Sequence, residues 1–98
     1  MISIEEACKI ALTKIPDDKK IIEIWETDHL WVFVDETFER PVIGPHPLAI
    51  FKKDGGFEYC HPSETHTMEY YFGRKKKIPL PECLVTAGKA KMPVPGGN

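Results

Sequence analysis

Cysteine is scarce in this chain and its spacing is uninformative. Cys8, Cys60 and Cys83 are an odd number with no C-x-x-C pair, which argues against a disulfide framework or a zinc knuckle and leaves three reduced thiols. Serine is scarcer still. Ser3 and Ser63 both stand where helix caps are wanted, so a Ser-His-Asp arrangement has no spare nucleophile. No apolar run approaches the roughly 20 residues that span a bilayer, and MISIEEACKIAL carries acids where a secretory leader carries bases. These absences predict a soluble, cytoplasmic protein with no membrane partner.

Net charge is small, at −2, but unevenly placed. Residues 1–50 hold five Lys/Arg against ten Asp/Glu, whereas residues 51–98 hold eight against five. Such a gradient steers charged partners without determining fold. With 98 residues, 42% of them hydrophobic, the chain suits one small domain whose apolar side chains fill a single core.

The first element is announced at both ends. Ser3 and Glu6 match a capping box, Ile2 and Ala7 sit where a hydrophobic staple would, and Ile4, Cys8, Ala11, Leu12 and Ile15 recur at helical spacing. Pro16 and the polar residues 17–20 stop the helix. KIIEIWE (20–26) and LWVFVDE (30–36) are β-branched and aromatic runs of strand length, and the three polar residues 27–29 between them predict a hairpin. On that register Ile22 and Ile24 share one face, as do Leu30, Val32 and Val34, with Glu23, Trp25, Trp31 and Phe33 on the other.

Residues 37–47 read as a connection, because Pro41, Gly44, Pro45 and Pro47 favour turns. Residues 48–51 and 57–60 flank Lys52-Lys53-Asp54-Gly55-Gly56, a second hairpin signal with glycine available for positive φ. Ser63 is the expected N-cap of a short second helix that carries Met68, Tyr71 and Phe72 on one face and closes at Gly73. Beyond it, Arg74–Lys77 reads as a solvated basic run, residues 83–86 as a short edge strand, and residues 89–98 as a flexible tail after a domain of residues 1–88. The expected fold is α+β: an N-terminal helix on a four-stranded antiparallel sheet made of two hairpins, with a short second helix.

Chemistry is thin. Cys60 and His61 are adjacent on a strand and point to opposite faces, so they do not make a thiolate and its base. His46, Cys60, His61 and His66 lack the paired spacing of zinc ligands, and Gly55-Gly56 sits in a turn rather than a phosphate loop. No metal, cofactor or catalytic residue is expected, and a four-residue basic run in an acidic chain does not predict a nucleic-acid partner. The acids Glu23, Glu26, Asp28, Asp35, Glu36 and Glu39, all along or just after the first hairpin, offer a negative face to a basic partner.

Residues 44–59, GPHPLAIFKKDGGFEY, resemble the YrhB-like or immunity protein 35 family of small bacterial proteins. The likeness extends over residues 2–73. It includes an I-S/T-x-E-E-A opening (Ile2 to Ala7), an aromatic strand (LWVFVDE), a G-x-x-P turn (Gly44, Pro47), a K-x-x-G turn (Lys52, Gly55) and the acidic-aromatic stretch Met68-Glu69-Tyr70-Tyr71. Phe51 stands where the family often has an acid, and residues from Arg74 onward lie outside the likeness. The resemblance implies a non-enzymatic antidote that binds a cognate toxin domain; such a role requires a surface, and the exposed candidates in this sequence are the acidic hairpin and the proline loop around His46. It also implies an alternative, a chaperone-like holdase binding apolar client segments through Trp25, Trp31 and Phe33. A homodimer is compatible with either.

Overall fold

The computed structural model describes residues 1–39 and 46–91. Helix α1 (Ile4–Leu12) begins as the sequence dictates: Glu6 N–H donates to Ser3 Oγ at 3.1 Å, and Ser3 N–H donates to Glu6 Oε1 at 3.2 Å. It is followed by β1 (Ile21–Glu26), β2 (Leu30–Asp35), a 3-10 turn (Glu36–Glu39), β3 (Leu48–Phe51) and β4 (Phe57–Tyr59). A second 3-10 turn (Thr65–Thr67) leads into α2 (Glu69–Phe72), and β5 (Lys76–Ile78) and α3 (Glu82–Thr86) complete the chain of elements. The fold is α+β, with an antiparallel sheet of order β4-β3-β2-β1-β5. No helix among the described residues is long and apolar enough to cross a membrane.

The fifth strand comes from the basic run. Lys76 and Lys77 pair with Glu26 and Trp25 on β1, so the expected four-stranded sheet gains a lysine-rich edge of the kind that discourages further strand pairing. Residues 83–86 form part of α3 rather than an edge strand. Pro81 precedes the helix, and Gly88 (φ 71°) ends it in a Schellman turn, with Gly88 N–H donating to Val85 O and Lys89 N–H to Leu84 O. Lys89 to Lys91 then run beside β1, exchanging hydrogen bonds with Ile21 through Lys89 O and Lys91 N–H. The remainder of the expected tail, and Pro41, Gly44 and Pro45 of the proline loop, lie outside the described residues.

The first hairpin turns on two residues, not three. Thr27 N–H donates to Leu30 O, and Leu30 N–H donates to Thr27 Oγ1, both at 3.0 Å, leaving Asp28 and His29 as the turn. That change moves the register by one residue, and a one-residue slip exchanges the faces of a strand. Ile24 therefore opposes Phe33 and Trp25 opposes Val32. A bulge between Ile21 and Glu23 returns Ile21, rather than Ile22, to the face of Ile24.

One face of the sheet carries Ile21, Ile24, Phe33, Leu48 and Ile50, closed by Ala7, Cys8 and Ala11 of α1 and by Leu84 of α3. The two alanines are fully buried, and their small side chains let the helix approach the sheet closely. The opposite face carries Leu30, Val32 and Ala49 with Cys60, covered by Trp25, Phe51, Tyr70 and Tyr71. Burial of each large apolar side chain contributes about 1.5–3 kcal/mol. Ser63 does not cap the second helix. Its hydroxyl and N–H both engage His61, α2 starts only at Glu69, and Tyr70 and Tyr71 rather than Met68 and Phe72 reach the sheet.

The β3–β4 turn needs its first glycine. Gly55 has φ 78°, and a Cβ there would meet Ile10 Cδ1 of α1 at 3.0 Å, so this residue satisfies both the turn and the approach of the helix.

Candidate functional site

The six acids of the first hairpin do not form one face. Glu26 and Asp28 lie at its turn, Asp35, Glu36 and Glu39 lie at the opposite end, and Glu23, opposite Val34 near that end, faces the α2 side with Trp25. Most are already engaged. Glu23 accepts from Trp25 Nε1 at 3.2 Å and pairs with Lys77 at 3.3 Å, while Glu26 binds Lys52 at 2.7 Å on the other side of the sheet. Glu36 and Glu39 share the Lys91 ammonium at 3.4 and 2.8 Å. Glu36 also accepts Lys20 N–H at 2.8 Å, and that backbone donor, with Lys91, holds its carboxyl below the usual range.

The aromatic set is divided as well. Trp25 lies on the α2 side of the sheet, where the Lys75 ammonium sits 4.9 Å from its ring centre and 4.2 Å from that of Tyr70. Trp31 and Phe33 lie on the α1 side, Phe33 with 1% exposure and Trp31 under the Lys52 ammonium at 4.5 Å. Trp25, Trp31 and Phe33 do not share one surface.

What the fold does bring together is Asp35 and His46. They line a cleft of about 520 Å³ between the end of α1, the 3-10 turn after β2 and the start of β3. Lys14 and Pro16 form one wall, Phe33 and Leu48 meet it from the sheet, and Tyr59 of β4 stands at the rim. Tyr59 is 50% exposed and Phe57 42%, their rings in a T-shaped contact with centroids 6.3 Å apart. The Lys14 ammonium lies 4.3 Å from the Phe57 ring centre. His46 packs edge-on against His61 at 4.7 Å, and His61 Nδ1 accepts the Ser63 N–H at 3.1 Å, which places the proton of a neutral His61 ring on Nε2.

β4 is the outer strand of the sheet. Phe51 N–H donates to Gly56 O and Cys60 N–H to Pro47 O, so by the alternation of an antiparallel ladder the backbone groups of Phe57 and Tyr59 point away from β3. His61 N–H takes the Tyr59 carbonyl. An outward-facing strand with two exposed aromatic rings thus borders a largely apolar cleft lined by one acid, one lysine and one imidazole. This arrangement is suited to docking a chain segment.

The thiols are placed for packing. Burial pushes Cys60 up to about 12, and burial with Cys83 close by does the same for Cys8, so neither presents a thiolate at neutral pH. Tyr71 donates its hydroxyl to the Cys60 carbonyl and locks the segment after β4 over the sheet.

One constellation was hidden from sequence reading. Glu58 on β4 and Glu64 and His66 around the second 3-10 turn bring three ligand-type atoms within 4.8 Å of one another. The only signal was the Glu64-x-His66 spacing, because Glu58 arrives from a separate element.

No protein-family model matches the chain, and no curated protein or solved structure is significantly similar to it.

Proposed function

We propose that this chain is a non-enzymatic immunity protein of the bacterial cytoplasm that neutralises a cognate toxin domain by binding it along β4 and the adjoining cleft. The observation that carries this choice of surface is the exposed Phe57–Tyr59 pair on an outer strand, beside a cleft holding Asp35 and His46. Outer strands bind extended segments through main-chain hydrogen bonds, while pockets beside them select side chains. Aromatic residues at the centre of such a surface supply most of its binding energy. The resemblance of residues 2–73 to YrhB-like immunity proteins supports the same reading, and inhibition by occlusion requires only a surface.

Asp35, whose Oδ1 already accepts Thr37 N–H at 2.8 Å, and Lys14 give the cleft one group of each charge with which to orient a partner segment. Glu23, Glu26, Glu36 and Glu39 already answer lysines of their own chain, and exposed pairs of that kind add little to affinity. They set the long-range field that guides the partner inward.

The test is capture of partners by the tagged protein from lysate of its native organism, with mass-spectrometric identification and light scattering for stoichiometry. The expected result is one stoichiometric partner bearing a toxin domain. Its affinity should fall about 30-fold or more, the loss of an aromatic hot spot, in Tyr59→Ala. A broad set of unfolded clients would point instead to the holdase. Undiminished binding by Phe57→Ala and Tyr59→Ala would remove β4 as the docking edge.

A further inference from the structure

We infer that Glu58, Glu64 and His66 form a binding site for a divalent transition-metal ion such as zinc, separate from the cleft. His66 Nδ1 stands 2.9 Å from Glu58 Oε1 and 3.4 Å from Glu64 Oε1. An ion bonded to imidazole nitrogen and carboxylate oxygen at about 2.1 Å, with angles between octahedral and tetrahedral, separates its ligand atoms by about 3.0–3.4 Å. The three side chains therefore stand near the spacing one ion imposes. The imidazole lies between the two carboxylates, and rotation of the exposed Glu64 carboxylate closes the remaining separation.

A second observation concerns the other oxygen of Glu58. Oε2 is shielded from solvent and has no hydrogen-bond partner among the described residues. A carboxylate oxygen stripped of water and lacking a donor is costly, and a cation bound beside it removes that cost. The cluster opens on a hollow of about 330 Å³ walled by Phe51, Phe57 and Asp54, which leaves room for waters to complete the coordination. One imidazole with two carboxylates favours zinc and its transition-metal neighbours over magnesium, which prefers an all-oxygen shell.

Lys53 also lines the hollow and opposes a cation, and the hydrogen bond and charge of Glu58, with Glu64, raise the proton affinity of His66, so an ion must displace a proton there. The site is therefore one of moderate affinity, tunable through Lys53. A bound ion would join β4 to the turn at Thr65–Thr67 and so fasten the loop that carries His61 and Ser63.

Isothermal titration of the full chain with zinc chloride at pH 7.5 tests this directly. One zinc ion per chain is expected. His66→Ala and Glu58→Gln should each weaken binding at least tenfold, Lys53→Ala should strengthen it, and His29→Ala should leave it unchanged. His66 is largely exposed, so His66→Ala keeps the fold, and circular dichroism verifies this for each variant. Coordination should also shift the His66 ring resonances in imidazole nitrogen spectra. Absence of zinc binding, zinc binding undiminished in His66→Ala, or equal binding of magnesium overturns the site.

Discussion

The Lys52 ammonium donates to Glu26 Oε2 at 2.7 Å while only 10% of the Lys52 side chain reaches solvent. The same ammonium lies over the Trp31 ring, so the residue that follows β3 is joined to the end of β1 across β2 by a charge largely withdrawn from water. The two partners are not equivalent. Glu26 is 31% exposed and is hydrated when alone, whereas Lys52 without Glu26 is a buried cation with only an aromatic face to meet it.

Glu26→Gln should therefore destabilise the fold by about 2 kcal/mol, and Lys52→Met, which keeps the aliphatic stem over Trp31, by about 1 kcal/mol or less. Urea unfolding followed by tryptophan fluorescence gives both values. The reverse order would show that the stem, not the charge, holds this corner.

Thr27 sets the register of the first hairpin. Its buried hydroxyl accepts Leu30 N–H, a bond that valine has no atom to make. Thr27→Val should cost about 1–2 kcal/mol, the penalty for a buried amide left without an acceptor. Thr27→Ser should recover most of the loss, as read from thermal unfolding.

This turn also marks where the sequence stops being sufficient. Both strands, the capping box of α1 and the Gly55 turn were legible because each is written within a few residues. The division of Trp25 from Trp31 and Phe33 depended on whether the turn took two residues or three, and that depended on the Thr27 hydroxyl serving as an acceptor. β5 was illegible for another reason. Lys76-Lys77-Ile78 has no strand pattern of its own and is extended because the edge of β1 accepts it. The candidate site shows the same limit: Asp35 and His46 were singled out separately, but only the packing of β2 beside β3 brings them to one cleft.

Thiol accessibility should follow the packing. Cys83 is exposed, whereas Cys8 and Cys60 are buried with thiols pushed up to about 12 by that burial. An aromatic disulfide reagent at pH 8 should titrate one thiol in the native protein and three in denaturant. Rapid native reaction of a second thiol would contradict the packing of α1 or of the segment after β4.

Glu36 ties the chain after β2 to Lys20 and Lys91, and the hydrogen bond from Lys20 N–H keeps its folded pKa below the unfolded value. The stabilisation is present above the ordinary carboxylate range and is lost as pH falls through the depressed folded value. The urea midpoint should decline from about pH 5 downward. In Glu36→Gln that decline should be shallower, and equal slopes in the two proteins would assign the acid sensitivity to other carboxylates.

The bonds between Ile21 and residues 89–91 have a consequence for synthesis. β1 is followed directly by its partner β2, but its other edge waits for β5 and for Lys89 to Lys91, which come much later in the chain. Pairings so distant in sequence form slowly, and an uncovered strand edge is where nascent chains associate with one another. During translation this protein therefore carries an open strand until residues 76–91 have followed it and closed its edge.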